Sequence, residues 1–337
     1  MMKIMIWNCR GASSNHFCSL VLNYKRIHNF NVLAVVETRV SGLIADRVIG
    51  KLKFENSVRV EAVGRSGGIW LLWNGSKVDL KVLKTARHLI HVVFDEGGSC
   101  PWLCSFVYAN PNDQLKRACF EDIKDLASTI SLPWTIVGDF NEIMGAPEKR
   151  GGAPIDMRRC LRFNKWVQEC GLNYLGSLGP KFTWRVAENR GYGRVFERLD
   201  RGFSNQSFRI QFPELSIRVL PRVKSDHHPL LADFMTKCDN GQKLVRPFRF
   251  EVAWTTHDSF ADLLKTGWRS GSNFITTLDN LTLKLKDCNW EVFGSIFQRK
   301  KIVLARLGGV QKHLNGGHNS FLINLEKTLL KEYNQIL

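Results

Sequence analysis

The sequence predicts an α/β fold over its first 235 residues, with strands gathered into a sheet or sandwich and a basic helical region behind them. Short apolar runs rich in β-branched and aromatic residues recur through the first 140 residues, and helix-length stretches lie between some of them. Past residue 235 the apolar spacing changes to steps of three and four. Hydrophobic residues make up 44% of the 337, enough to bury a large core and to exclude a disordered chain.

The predicted strands are "KIMIWN" from residue 3, "NVLAVVE" from 31, "GGIWLLW" from 67, "VDLKVL" from 78, "HLIHVVF" from 88, "WLCSFVYA" from 102 and "WTIVGDF" from 134. Gly, Asn and Pro clusters separate them. Helices are predicted around 16–29, 114–131 and 156–170. The polar, glycine-bearing segment 236–247, "TKCDNGQKLVRP", reads as a linker between a domain at 1–235 and a helical accessory region at 248–337. In that region Leu278, Leu281, Leu285, Cys288 and Val292 share one helical face, and "QRKKIVLARL" and "FLINLEKTLLKEYNQIL" continue the pattern. The last helical run is still in progress at Leu337, so the natural product is expected either to be longer or to have been cut short.

The 48 Lys and Arg against 31 Asp and Glu leave +17, of which residues 237–337 contribute 15 against 9, or +6. A field of that sign attracts polyanions, although a scattered basic surface would give the same count. Nine cysteines without a Cys-x-x-Cys pair argue against a zinc knuckle or a disulfide framework and for buried thiols in a reducing compartment. The start "MMKIMIWNCRG" lacks a signal-peptide core, and no run approaches the roughly 18 apolar residues of a membrane span. The expected location is nuclear or cytoplasmic, not secreted, with no membrane partner.

Four predicted strands end in polar residues: Asn8, Glu37, Tyr108, and Asp139 with Asn141. Strand ends are where an α/β sheet presents functional side chains. Singly, each has a structural explanation as a turn residue, a cap or a half-buried hydroxyl. Asp139 and Asn141 stand at i and i+2, on one side if the backbone stays extended. Downstream, Asp200 in "FERLDRGF" suits either an ion pair with Arg198 or Arg201 or a hydrogen bond to a histidine Nδ1, and "SDHHP" at 225–229 crowds Asp226, His227 and His228 onto one turn.

Taken in order, "WNCRG", "ETR", "VYANP", "GDFNEI", "FTW", "RLD" and "SDHHP" resemble the endonuclease/exonuclease/phosphatase superfamily of DNase I-like enzymes over roughly residues 1–235. Within it, "KFTWRVAENRGYGRVFERLDRGFSN" looks most like the endonuclease domain of plant LINE-type (non-LTR) retrotransposon polyproteins, and the helical region is similar to the segment that follows there. The resemblance implies a four-layered α/β/β/α sandwich and a DNA-nicking phosphodiester hydrolase.

It also implies roles. Glu37 would hold Mg²⁺, with Mn²⁺ as the alternative; Asn8 would sit on the metal or on a metal-bound water, and Asp226 would add a further oxygen or a contact just outside the ligands. Asp139 would orient or deprotonate water, Asn141 would hold Asp139 and donate to the phosphate, and Tyr108 would place its hydroxyl on a phosphate oxygen. His227, poised by Asp200, would stabilise the transition state, while Ser225 caps the turn and His228 is incidental. Thr183 and Trp184 would shape a DNA-facing wall, and Arg185, Arg190 and Arg194 would contact phosphates.

The expected partner is DNA, with element RNA as a second one and the oligomeric state open. The lysines of the helical region are expected to add nucleic-acid affinity. Two enzyme alternatives are an abasic-site repair endonuclease and a phosphatase of the same superfamily; a third alternative is a decayed element-derived binding protein without activity. The polyproteins' reverse transcriptase needs an Asp-Asp pair that this chain lacks, so polymerase activity is not predicted, and a chain cut short would end before that reverse transcriptase.

Overall fold

The computed structural model describes residues 2–64, 66–95, 100–186, 194–234, 260–268, 277–285 apart from 279 and 283, and 295–336 apart from 318. Two six-stranded sheets form its centre. The first runs β14 (Ser216–Val219), β15 (Leu230–Phe234), β1 (Met2–Asn8), β2 (Val32–Val36), β4 (Ile69–Trp73), β3 (Asn56–Val60). The second runs β10 (Asn173–Tyr174), β13 (Asp200–Ser204), β8 (Trp134–Asp139), β7 (Trp102–Tyr108), β6 (Leu89–Phe94), β5 (Leu80–Ala86). A small third sheet joins β11 (Trp184–Arg185), β12 (Phe196–Glu197) and β9 (Lys149–Arg150).

Each large sheet contains one parallel pair, β1 with β2 and β7 with β8, among antiparallel neighbours. A parallel connection needs a crossover, supplied by α1 (Asn15–His28) in the first sheet and α3 (Asp113–Thr129) in the second. Both helices start on a side-chain cap: Ser14 Oγ accepts from the Phe17 amide, and Asn112 accepts from the Gln114 and Leu115 amides.

Strand alternation sends Ile4, Ile6, Val36, Val92 and Phe106 into the cluster between the sheets, and Met5, Trp7 and Trp70 to the outer face of the first. There they meet α1 and α2 (Gly42–Lys51); α3 and α4 (Met157–Glu169) cover the second sheet. The expected four-layered sandwich is the observed architecture. Helix α2 and strand β3 were not anticipated. Helix α2 buries only Ala45 and Val48 and leaves Leu43 and Ile44 exposed, and β3 is a largely polar edge strand, so neither carries a clean periodicity.

Beyond α5 (Gln206–Gln211), α6 (Phe260–Gly267) and the helical residues of 277–285 (α7) form a small cluster of Phe260, Leu281 and Leu285. The expected linker 236–247, with Cys288 and Val292, lies outside the described residues. Helices α8 (Ser295–Leu314) and α9 (Ser320–Ile336) insert Leu304, Leu307, Leu329 and Tyr333 into the same apolar cluster as Trp7, Phe17 and Tyr24. This part of the accessory region is therefore built into the sandwich's outer layer. Among the described residues no helix is long and apolar enough to cross a membrane.

Gly138 lies one residue before the end of β8 at φ +151°, where an added Cβ would stand 2.0 Å from the Val107 carbonyl oxygen of β7. Gly138→Ala should lower unfolding free energy by about 3 kcal/mol, from left-handed strain plus the clash. Urea denaturation reads this as a fall in the midpoint, and an unchanged midpoint would show that the two strands separate freely.

Candidate active site

The polar residues at the strand ends meet at one edge of the sandwich. Asp139 closes β8 and is paired in register with Tyr108 of β7 on one side and Asp200 of β13 on the other. Because β1 faces β8 across the core, Asn8 at the end of β1 donates from Nδ2 to Asp139 Oδ2 at 2.9 Å. The backbone does not stay extended past Asp139: Asn141 sits at φ 48°, a left-handed turn that brings its amide N–H to Asp139 Oδ1 at 3.0 Å. Asn141 Nδ2 then donates to Ala109 O at 2.8 Å and Asp139 Oδ2 at 3.2 Å. Both amide hydrogens are engaged, so Asn141 holds the carboxylate, and the expected donation to phosphate has no hydrogen left to make it.

His227 completes the cluster. Its Nδ1 is 2.8 Å from Asp200 Oδ2, which selects the histidine-holding role for Asp200 over an ion pair with Arg198 or Arg201; Arg201 pairs with Glu148 instead. His227 Nε2 is left facing Asp139 Oδ2 at 3.9 Å. Ser225 ties the loop to β1, its Oγ donating to Asn8 O at 2.7 Å and accepting from the His227 amide at 3.1 Å. Thr183 was expected on a DNA-facing wall, but it is 1% exposed, and its Oγ1 accepts from the Leu199 and Asp200 amides at 3.0 and 2.9 Å. It anchors Asp200, a role hidden from sequence because it depends on two chain segments meeting.

Electrostatics distinguish these groups. Burial pushes the Asp139 carboxyl up, His227 opposes that, Asp200 adds to it, and the outcome is about 6. Burial lowers the His227 imidazole, but the carboxylates of Asp200 and Asp139 outweigh it and leave the pKa raised. The Tyr108 hydroxyl is pushed up by burial and by Glu37 and Asp139, so it stays protonated and serves as a hydrogen-bond donor. These effects place Glu37 in the same field as Asp139 and Tyr108.

Asp139, Asp200 and His227 present ligand atoms within 4.8 Å of one another, although His227 Nδ1 is already committed to Asp200. The other oxygen donors carry cationic partners: Glu37 Oε1 accepts from Arg39 Nε at 3.1 Å, and Asp226 is paired with Arg10. The Asn8 amide oxygen, which accepts from the Arg10 amide at 3.1 Å, and the carboxylates of Glu37 and Asp226 are the kind of oxygen donors a hard divalent cation prefers. Arg10 and Arg39 were not singled out from sequence, though each follows a site residue by two positions in "NCR" and "ETR".

Of the expected wall, Trp184 donates from Nε1 to Asp226 Oδ2 at 3.0 Å, and its ring lies 6.4 Å from the His227 ring. The arginines behave differently from a solvated phosphate-binding loop. Arg185 Nη1 lies 2.5 Å from Glu326 Oε2, Arg194 Nη1 lies 3.9 Å from the same atom, and both side chains are largely buried. Arg190 lies outside the described residues. His228 turns away from the site, its Nδ1 2.8 Å from Leu220 O, and burial with nearby Arg222 keeps it neutral.

Residues 5–227 match the family described as Endonuclease/Exonuclease/phosphatase family. Among solved structures, the fold is similar to the endonuclease domain of TRAS1, a telomere-specific non-LTR retrotransposon (14% identity, TM-score 0.51, 71% of this chain and 100% of that one). It is also similar to the AP endonuclease LMAP from Leishmania major (14%, 0.53, 68% and 86%) and to an AP endonuclease from Archaeoglobus fulgidus (16%, 0.50, 70% and 100%). No curated protein matches the chain.

Asp200→Asn removes the strongest of the carboxylate attractions on His227 while leaving it buried, so its pKa should fall. A raised folded value means His227 adds stability that is fully present below its ordinary 6.5 and is lost as pH rises through the folded value. In the variant that increment disappears, and the stability gap to wild type should narrow as pH rises through this window. Histidine NMR titration of the metal-free proteins reads the shift; an unmoved His227 would refute the pairing.

Proposed function

The chain belongs to the endonuclease/exonuclease/phosphatase family, and on that premise we propose that it is a metal-dependent phosphodiester hydrolase that nicks DNA, the endonuclease of a LINE-type retroelement. The observation that carries the hydrolase reading is Asp139, buried and held by three hydrogen bonds, beside the His227–Asp200 pair. One group accepts a proton near neutrality and the other presents a hydrogen-bond donor whose protonated form its carboxylate neighbours favour, the two services phosphodiester hydrolysis asks of side chains.

Asn8, Glu37 and Asp226 would hold Mg²⁺, with Mn²⁺ as the alternative, and the ion would supply positive charge beside the phosphoryl oxygens. Asp139 takes the proton of the attacking water, oriented for it by Asn8 and Asn141. His227 presents Nε2–H to a phosphoryl oxygen as charge builds there, its ring orientation fixed by Asp200. Tyr108 donates its hydroxyl hydrogen to another oxygen, and Trp184 walls the site beside His227. Arg10 and Arg39 keep the acidic donors from repelling the phosphate.

Support for the retroelement assignment comes from the run at 181–205 and the basic region behind it, together with the likeness to a structure described as a retrotransposon endonuclease. The net charge of +17 favours DNA as substrate, with element RNA as a further partner and a nuclear or cytoplasmic setting.

Purified protein incubated with supercoiled plasmid and Mg²⁺ should produce open circles, and EDTA should abolish this. His227→Ala should slow nicking roughly a hundredfold to ten-thousandfold, the contribution of a positioned proton-bearing group. Undiminished nicking by the variant would remove His227 from the chemistry, and folded wild type that binds DNA without nicking would favour a decayed binding module. Faster cleavage of abasic DNA than of intact plasmid would favour a repair endonuclease.

A further inference from the structure

The wall strand and the histidine loop are two-sided. Along β11, Trp184 faces Asp226, while Arg185, next in the alternation, points the other way to Glu326 of α9. The loop follows suit, with His227 turned to Asp200 and His228 turned away beside Arg222. The two segments are joined by backbone bonds: the Arg185 amide donates to Asp226 O at 3.0 Å, and the His228 amide to Thr183 O at 2.7 Å. Whatever holds the back of this pair therefore holds its catalytic front.

The back is held by the C-terminal helices. Glu326 is 1% exposed and accepts from Arg185 Nη1 at 2.5 Å, Arg222 Nη2 at 3.1 Å and Gln311 Nε2 at 3.1 Å. Gln311 of α8 grips the loop backbone on both sides, accepting from the Arg222 amide at 2.9 Å and donating to Arg222 O at 3.1 Å. A buried carboxylate binding two arginines from two segments fixes their separation, because any shift leaves a desolvated charge unpaired.

We propose that Glu326 is a positioning residue of the nuclease: through Arg185 and Arg222 it sets the Trp184 wall and the Asp226–His227 turn, so that α8 and α9 complete the active site from behind. This rests on the hydrolase reading above. It gives the C-terminal helices a catalytic function distinct from nucleic-acid affinity, and it gives Arg185 a counter-ion in place of a DNA phosphate.

The test compares wild type with Glu326→Gln, which keeps an acceptor oxygen but removes the charge, Arg185→Met, the double variant, and Tyr333→Phe. The last, on the same helix as Glu326, loses a buried hydrogen bond accepted from Asn23 of α1 and controls for mere destabilisation. With plasmid nicking as readout, Glu326→Gln should lower kcat on the order of tenfold to a hundredfold with KM unchanged, as expected for displaced catalytic groups. Arg185→Met should do the same, and the double variant should be no worse than either single one. Hydrogen exchange, which needs no activity, should rise at 183–186 and 222–228 in Glu326→Gln and stay at wild-type levels there in Tyr333→Phe.

A raised KM in Arg185→Met with unchanged kcat would overturn the proposal in favour of a phosphate contact. Unchanged exchange in Glu326→Gln, additive losses in the double variant, or an equal kcat loss in Tyr333→Phe would overturn it too. If wild type nicks nothing, the nuclease reading fails and the positioning role falls with it, while the exchange arm still decides whether Glu326 braces the loop.

Discussion

Everything at the site depends on two parallel strand pairs facing each other across one core. In each sheet a crossover helix forces two neighbouring strands to run the same way, so their carboxyl ends emerge side by side. Because β1 faces β8 and β2 faces β7, Asn8, Glu37, Tyr108 and Asp139 are delivered to a single edge from four separate strands. The continuous apolar character of those strands follows from the same arrangement, since each is covered on one face by the opposite sheet and on the other by helices.

That edge concentrates polar groups in a dry setting, and each is supported. Asp139 has Asn8 and Asn141, His227 has Asp200, Asp200 has the Thr183 hydroxyl at its amide, and Asp226 has Trp184 and Arg10. Burial without such partners would drive the acids neutral and the imidazole uncharged. With them, the rise that burial imposes on Asp139 is held to about 6, because His227, Asn8 and the Asn141 amide favour the carboxylate, and the histidine is raised against the effect of its own burial. In the proposed hydrolase the two neighbouring groups thereby take opposite tasks in proton transfer.

The C-terminal helices extend the same logic outward. Their apolar faces join the layer over the first sheet, and the buried Glu326 and Gln311 meet Arg222 beneath the histidine loop. A region whose net charge suits nucleic-acid contact or a scattered basic surface alike thus buries one of its acids, Glu326, against arginines of the sandwich. Its arginine partners, Arg185 and Arg194, carry charge that the sequence presents as available and the fold directs inward.

Local pattern determined much of this protein. The strands from 3, 31, 67, 88, 102 and 134 and the helices near 16, 114 and 156 are legible because burial on a strand or on one helix face imposes a period on the residues themselves. The polar residues that end those strands stand out for the same reason, as interruptions of an apolar run. Edge strand β3 and helix α2 carry weak periodicity and were not legible. Only the tertiary structure decided that Thr183 anchors Asp200, that Asn141 reaches Asp139 through a left-handed turn, and that Glu326 captures Arg185 from 141 positions away. Partnerships of that kind leave no period in the chain, because hydrogen bonds and ion pairs depend on distance in space and composition records only that the groups exist.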